Sequence, residues 1–114
     1  MKIEGKAKAL AVYIGESDLW HGRPLYAVIV ERARELGMAG ATVTRGIMGF
    51  GANSRIHTTA ILRLSEDLPV VIQIVDMPDR IDPFVKELDE MVSEGMVVTW
   101  DVIVEQYRSS KPDA

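Results

Sequence analysis

The sequence predicts an α+β domain with the element order β-α-β-loop-β-α-β, and three observations carry that reading. Two stretches place apolar residues at helical spacing. The first holds Leu25, Val28, Ile29, Ala33 and Leu36, with Arg32 on the same stripe; the second holds Ile81, Phe84, Val85, Leu88, Met91 and Val92. Strand-like apolar runs flank both helices, at residues 6–14, 41–44, 58–64, 69–75 and 96–107. The second and third of these runs are separated by a segment, 46–59, that is far too long for a tight hairpin turn.

In the first strand Leu10, Val12 and Ile14 share one face while Ala9, Ala11 and Tyr13 share the other, so both faces are apolar. Gly15 stops it, and residues 16–22 form a polar loop with Trp20 as its packing anchor. Pro24 suits the first position of the helix, and Gly37 suits its C-terminal end. The second strand begins near Gly40. Residues 65–67 break the third strand, and 69–75 is the most buried-looking strand of the chain.

Pro78 and Asp79 open the second helix, and Pro83 is expected within its first turn, where a missing N–H costs nothing. Asp82 with Lys86 and Lys86 with Glu90 are four-residue pairs on its exposed side. Gly95 is expected to cap it. Met48 and Met91 are expected to fill gaps in the core.

Composition narrows the classes of function. The 114 residues predict one domain, with a core at about 6–108 and a flexible tail at 109–114. Seventeen acidic against thirteen basic residues give a net charge of −4, and no basic stripe favours DNA or RNA. Without cysteine there are no disulfides or thiolate metal sites. The longest apolar run, 68–75, contains Gln73 and is too short to span a bilayer. Residues 1–5 lead into a strand without a signal-peptide layout, so a cytoplasmic protein is expected.

The element order is that of the ferredoxin-like βαββαβ arrangement, an antiparallel sheet with helices on one face only. Its bare face should be polar, yet the first and central strands are apolar on both sides. A second protein surface is the simplest cover, which predicts an obligate oligomer. The alternative is that a loop or the C-terminal tail folds over the sheet.

Residues 40–44 (Gly-Ala-Thr-Val-Thr), Gly49-Phe50-Gly51, His57-Thr58 and the run Asp67-Leu68-Pro69-Val70-Val71-Ile72 resemble the nitrogen-regulatory PII signal proteins. Residues 15–26 and 45–51 are more similar still to a prokaryotic PII-like family of domains of unknown function, and the likeness covers nearly all of 8–108. The resemblance implies a PII-like homotrimer with inward-facing sheets, a projecting T-loop at 46–59 and ligand clefts between subunits. It implies an adenine nucleotide as the candidate ligand, with Thr42 and the Gly49-Phe50-Gly51 backbone beside the base and ribose. This chain differs in three ways. It carries one extra residue before Gly49; Ser93-Glu94-Gly95-Met96 stands where PII has its T-G-x-x-G-D-G-K phosphate loop; and no tyrosine lies between Tyr26 and Tyr107, which excludes uridylylation of the loop.

The long loop carries the remaining candidates. Gly46, Gly49 and Gly51 permit close approach, while Asn53, Ser54, Arg55 and His57 suit an anionic or hydrogen-bonding partner. Arg55 offers a two-pronged donor and His57 a titratable one. Arg45 and Arg63 flank the loop, either facing a cleft or forming solvated cross-strand charge. His21, Glu16 and Asp18 have metal-ligand chemistry without a recognisable ligand spacing. No Ser-His-Asp or paired-carboxylate constellation emerges. The reading is a signalling module that binds a small ligand between subunits and reports it through the loop to a partner protein or transporter. The alternatives are a small enzyme using His57 and Arg55, or a ligand-free docking trimer.

Overall fold

The spine of the structure is β1 (Gly5–Gly15), the longest strand of a four-stranded antiparallel sheet. A computed structural model of the chain describes residues 3–51, 57–58 and 67–110, with 57 and 58 described in backbone only. Next come β2 (Leu19–Trp20), β3 (Arg23–Pro24), α1 (Leu25–Glu35), β4 (Thr42–Arg45), β5 (Met48–Gly49) and β6 (His57–Thr58). The chain continues through β7 (Pro69–Asp76), α2 (Pro78–Met91) and β8 (Met96–Val104). The main sheet runs β4-β7-β1-β8, so the α+β ferredoxin-like arrangement read from the sequence is the observed one. Asn53, Ser54, Arg55, Arg63, the third strand beyond Thr58 and the end of the tail lie outside the described residues.

Both helices pack on one face of the sheet. Leu10, Val12 and Ile14 of β1, with Val70, Ile72 and Ile74 of β7, meet Leu25, Ile29, Ala33, Ile81, Phe84 and Leu88 in one core. Directly opposite residues of an antiparallel pair point the same way. The registers therefore assign Ala7, Ala9, Ala11 and Tyr13 to the other face, beside Val71, Gln73 and Val75 on one flank. Met96, Val98, Trp100 and Val102 form the other flank. The alanines are buried beneath these larger neighbours, whereas Tyr13, Val75, Met96 and Trp100 are exposed. The open face is an apolar trough with a floor of alanine.

Local details depart from the sequence reading in instructive ways. The polar loop at 16–22 contains half of a hairpin, β2–β3, closed by His21 (φ 49°) and Gly22 (φ 79°) in the left-handed region that such turns need. Trp20 packs against the core, with the His21 ring edge-on to it at 4.5 Å. Pro24 is the N-cap of α1 and not its first residue, and the Asp18 carbonyl accepts the Leu25 N–H at 2.8 Å. At the other end Met38 N–H bonds to Ala33 O and Gly37 N–H to Arg34 O, the paired bonds of a Schellman ending with Gly37 at φ 71°.

Pro83 lies inside α2 and not in its first turn. It sits on the exposed side, where water can take the Asp79 carbonyl that the ring leaves unpaired. Val92 is the C-cap of α2, and Gly95 belongs to the turn into β8, which ends at Val104 and not at Tyr107. Asp82 reaches across to Lys8 Nζ at 2.8 Å. That hydrogen bond holds the Lys8 ammonium above its ordinary pKa of 10.5, so its contribution is complete below that value and is lost at higher pH.

One buried charge joins the two crossover connections. Asp76, fully buried, accepts the Ala39 N–H at 2.9 Å and the Met77 N–H at 2.7 Å. Arg80 Nη1 lies 3.9 Å from the same carboxylate and donates to Gly37 O at 2.7 Å. Asp76→Ala strands two part-buried N–H groups, so denaturant unfolding should show a loss of about 2–4 kcal/mol, with Asp76→Asn losing less. A loss below about 0.5 kcal/mol would show that these bonds do not hold the connections.

Candidate functional site

The long loop leaves the sheet over the ring of Pro69. Gly46 N–H donates to Pro69 O at 2.7 Å, and a Cβ built on Gly46 would stand 2.8 Å from Pro69 Cγ. One built on Gly49 would stand 3.0 Å from the same atom. Only glycine lets the backbone lie this flat on the ring. Pro69 is the first residue of β7, where a missing N–H leaves the ladder intact. Beyond Gly46 the short β5–β6 ladder pairs Met48 with Thr58 and Gly49 with His57, which closes the neck of the loop.

Beside this neck opens a cleft of about 610 Å³. One wall is Gly49-Phe50-Gly51 and Pro69, another the end of β1 from Tyr13 to Gly15, and a third Glu94-Gly95-Met96 at the entry to β8. Three large apolar side chains on it remain open to solvent: Phe50 at 67%, Met96 at 60% and Tyr13 at 46%. Its charged groups are Asp18, Asp67 and Glu94; the described lining residues include no lysine, arginine or histidine. Gly15 N–H donates to Asp18 Oδ2 at 3.0 Å and Ser17 N–H to Asp67 Oδ1 at 2.8 Å, which fixes both aspartates at the rim.

The sequence-predicted residues are distributed over more than one place. Gly49, Phe50 and Gly51 line the cleft together. Arg45 stands outside its lining, in an ion pair with Glu16. Thr42 lines a second cleft, of about 380 Å³, with Ala39, Gly40, Gln73, Gln106 and Tyr107. Three strand residues, Val43 to Arg45, lie between Thr42 and Gly46, about 13 Å of chain. The Arg55 position and the His57 side chain lie outside the described residues. Among the described residues no group of three or more His, Asp or Glu side chains is placed to hold a metal ion.

Sequence reasoning missed Tyr13, Asp18 as a cleft residue, Asp67, Glu94 and Met96. They come from three distant stretches of chain, and only the antiparallel pairing of β1 with both β7 and β8 brings them together. The available signal was Tyr13, an aromatic on the face of β1 that the helices leave uncovered.

Residues 7–104 match the family DUF190, described as "Uncharacterized ACR, COG1993". The chain belongs to this family. A UPF0166 protein of Aquifex aeolicus (strain VF5) is 35% identical over 99 residues, covering 87% of this chain and 93% of that one. A UPF0166 protein of Methanocaldococcus jannaschii is 35% identical over 97 residues, covering 84% and 89%. The fold is shared with CPII, a nitrogen regulatory PII-like protein from Thiomonas intermedia K12 whose structure holds ADP, AMP and bicarbonate. That likeness has a TM-score of 0.67 at 16% identity over 87% of this chain and 88% of CPII. CutA from Synechococcus elongatus, in complex with Bis-Tris, matches at TM-score 0.58 and 11% identity, over 95% of this chain and 90% of that one. The resemblance to a PII-like family of unknown function, read from residues 15–26 and 45–51, is thus the family found. Among the described residues no helix is long and apolar enough to cross a membrane.

The contact with Pro69 has a direct test. Gly46→Ala must push the loop neck off the ring, costing about 1–3 kcal/mol and speeding amide exchange at residue 46. Gly40→Ala, which meets nothing within 4 Å, should be nearly neutral in the same measurements. Equal effects at both positions would mean that the neck is not held by Pro69.

Proposed function

We propose that the protein is a non-enzymatic PII-like regulatory module. A homotrimer takes a small anionic ligand, an adenine nucleotide among the candidates, into clefts between subunits. Its 46–59 loop reports occupancy to a partner protein or transporter. The observation that carries this reading is that the cleft and the loop neck share a wall. Gly49, Phe50 and Gly51 line the cleft, while Gly46 and Gly49 rest on Pro69, itself a lining residue. A ligand touching that wall favours some positions of the loop over others, and a shift of population needs nothing more.

Assembly supports the reading from a second direction. Within one protomer Thr42 and the G-F-G wall line different clefts. In the trimer, Thr42 would come from a neighbouring copy. The cations for an anionic group would be Arg45 and, from the loop, Arg55 and His57. Arg45 is not sequestered by Glu16. The pair is a surface one, with the Arg45 side chain 60% exposed, and such pairs are worth about 0–1 kcal/mol. A charge-assisted contact to a ligand is worth about 1.5–3 kcal/mol, so the anion wins the competition.

Calorimetric titration of the purified protein with ATP, ADP, AMP, cyclic dinucleotides and bicarbonate should give saturable binding of at least one of them. Heat indistinguishable from dilution for all of them contradicts the reading. With the ligand found, Arg55→Ala should weaken binding roughly ten- to a hundredfold. Arg34→Ala, on the exposed side of α1, should leave it nearly unchanged. Equal losses from both would mean diffuse attraction and no defined site.

A further inference from the structure

Three consecutive residues at the end of β1, Gly15 to Ser17, hold both ends of the long loop. At the returning end Glu16 N–H donates to Leu68 O at 2.8 Å, and Ser17 N–H donates to Asp67 Oδ1 at 2.8 Å. The Asp67 carboxylate lies against Gly15, where an added Cβ would stand 2.7 Å from its Oδ2. At the departing end the Glu16 carboxylate is ion-paired with Arg45, the residue before Gly46. Asp18 closes the same turn, accepting Gly15 N–H through Oδ2 and Leu25 N–H through its carbonyl. Each residue from Gly15 to Asp18 is thus anchored. The two members of the ion pair are placed unequally. The Glu16 side chain is 25% exposed on a bonded backbone, whereas the Arg45 side chain is 60% exposed. Glu16 is the fixed member, and Arg45 is the one able to leave.

We infer that Glu16 is an internal competitor for the ligand's anionic group at Arg45, so that binding opens the link between the β1 turn and the departing end of the loop while the returning end stays held. The inference rests on the function proposed above, with Arg45 as a ligand contact, and adds the contact through which occupancy is read. A guanidinium can reach two acceptors, but an anion placed beside Glu16 meets like charge. Ligand and carboxylate therefore exchange at Arg45 and do not share it. The bonds to Asp67 and Leu68 run through the backbone of the turn and survive that exchange.

Glu16→Gln tests this, with Glu90→Gln on the exposed side of α2 removing the same charge elsewhere. The substitution keeps the residue 16 N–H that bonds to Leu68, so the turn is not endangered. ADP and bicarbonate, titrated separately by calorimetry, are the probes. Whichever binds the wild type should bind Glu16→Gln about two- to fivefold more tightly, the yield of removing a surface ion pair. Glu90→Gln should bind like the wild type. With no ligand added, amide exchange at Gly46 should be about two- to fivefold faster in Glu16→Gln, with residues 16 and 17 unchanged. Arg45→Gln should speed Gly46 to the same degree and the double variant no further, because both remove one contact. Wild-type affinity in Glu16→Gln, an equal gain in Glu90→Gln, or wild-type exchange at Gly46 in Glu16→Gln overturns the inference and leaves ligand binding standing. Uptake of neither probe by any of these proteins overturns it together with the anion-binding function it rests on.

Discussion

A four-stranded sheet whose central strand is apolar on both sides must be covered on both sides, and the rest of the structure follows from that constraint. The helices satisfy it on one face through Leu10, Val12, Ile14 and their partners. The other face leaves Tyr13, Val75, Met96 and Trp100 open above an alanine floor. Covering the exposed portions of these four is worth about 1 kcal/mol each. Association costs an estimated 4–15 kcal/mol, so four side chains alone would not hold copies together. The interface has to take in the whole trough, including Val71 and Val98, if the assembly is to be stable. Small alanines on β1 suit that requirement, because they let a facing surface approach the strand closely.

The same sheet sets the position of the cleft. β1 ends at Gly15 beside the start of β7 at Pro69, and β8 begins opposite Tyr13. Three strand ends therefore meet at one place, and the loop neck rests on the proline that begins one of them. The open face and the cleft share Tyr13 and Met96, so whatever covers the sheet also borders the cleft. In the proposed reading, assembly and ligand binding draw on one surface. Asp76 plays the complementary part at the opposite end, where it ties both crossover connections to the sheet.

Much of this was legible in the residues. The helical stripes gave both helices to within a residue or two, and alternation along β1 gave the two-sided strand. Gly49-Phe50-Gly51 was marked as a cleft wall from its resemblance to PII proteins. What escaped was set by contacts distant in sequence. Asp67 and Glu94 read as turn residues until the pairing of β1 brings their turns beside Gly15 and Tyr13. The β2–β3 hairpin depends on His21 taking a left-handed conformation, which no propensity for histidine foretells strongly. Pro83 follows the opposite logic: the rule against mid-helix proline is sound, but it yields where solvent can satisfy the freed carbonyl. Thr42 and the G-F-G wall are placed at one ligand by the resemblance to PII proteins alone. In the structure they line two different clefts.

The central claim is that other copies of this chain cover the open face, and its most direct test is the mass of the protein in solution. Light scattering at micromolar concentration should give three times the chain mass of 12.6 kDa. Trp100→Glu, which places a charge on the trough without touching the helix-side core, should shift that mass towards the single chain. A wild-type protein that runs as a monomer, or a Trp100→Glu variant that remains fully trimeric, would contradict the account.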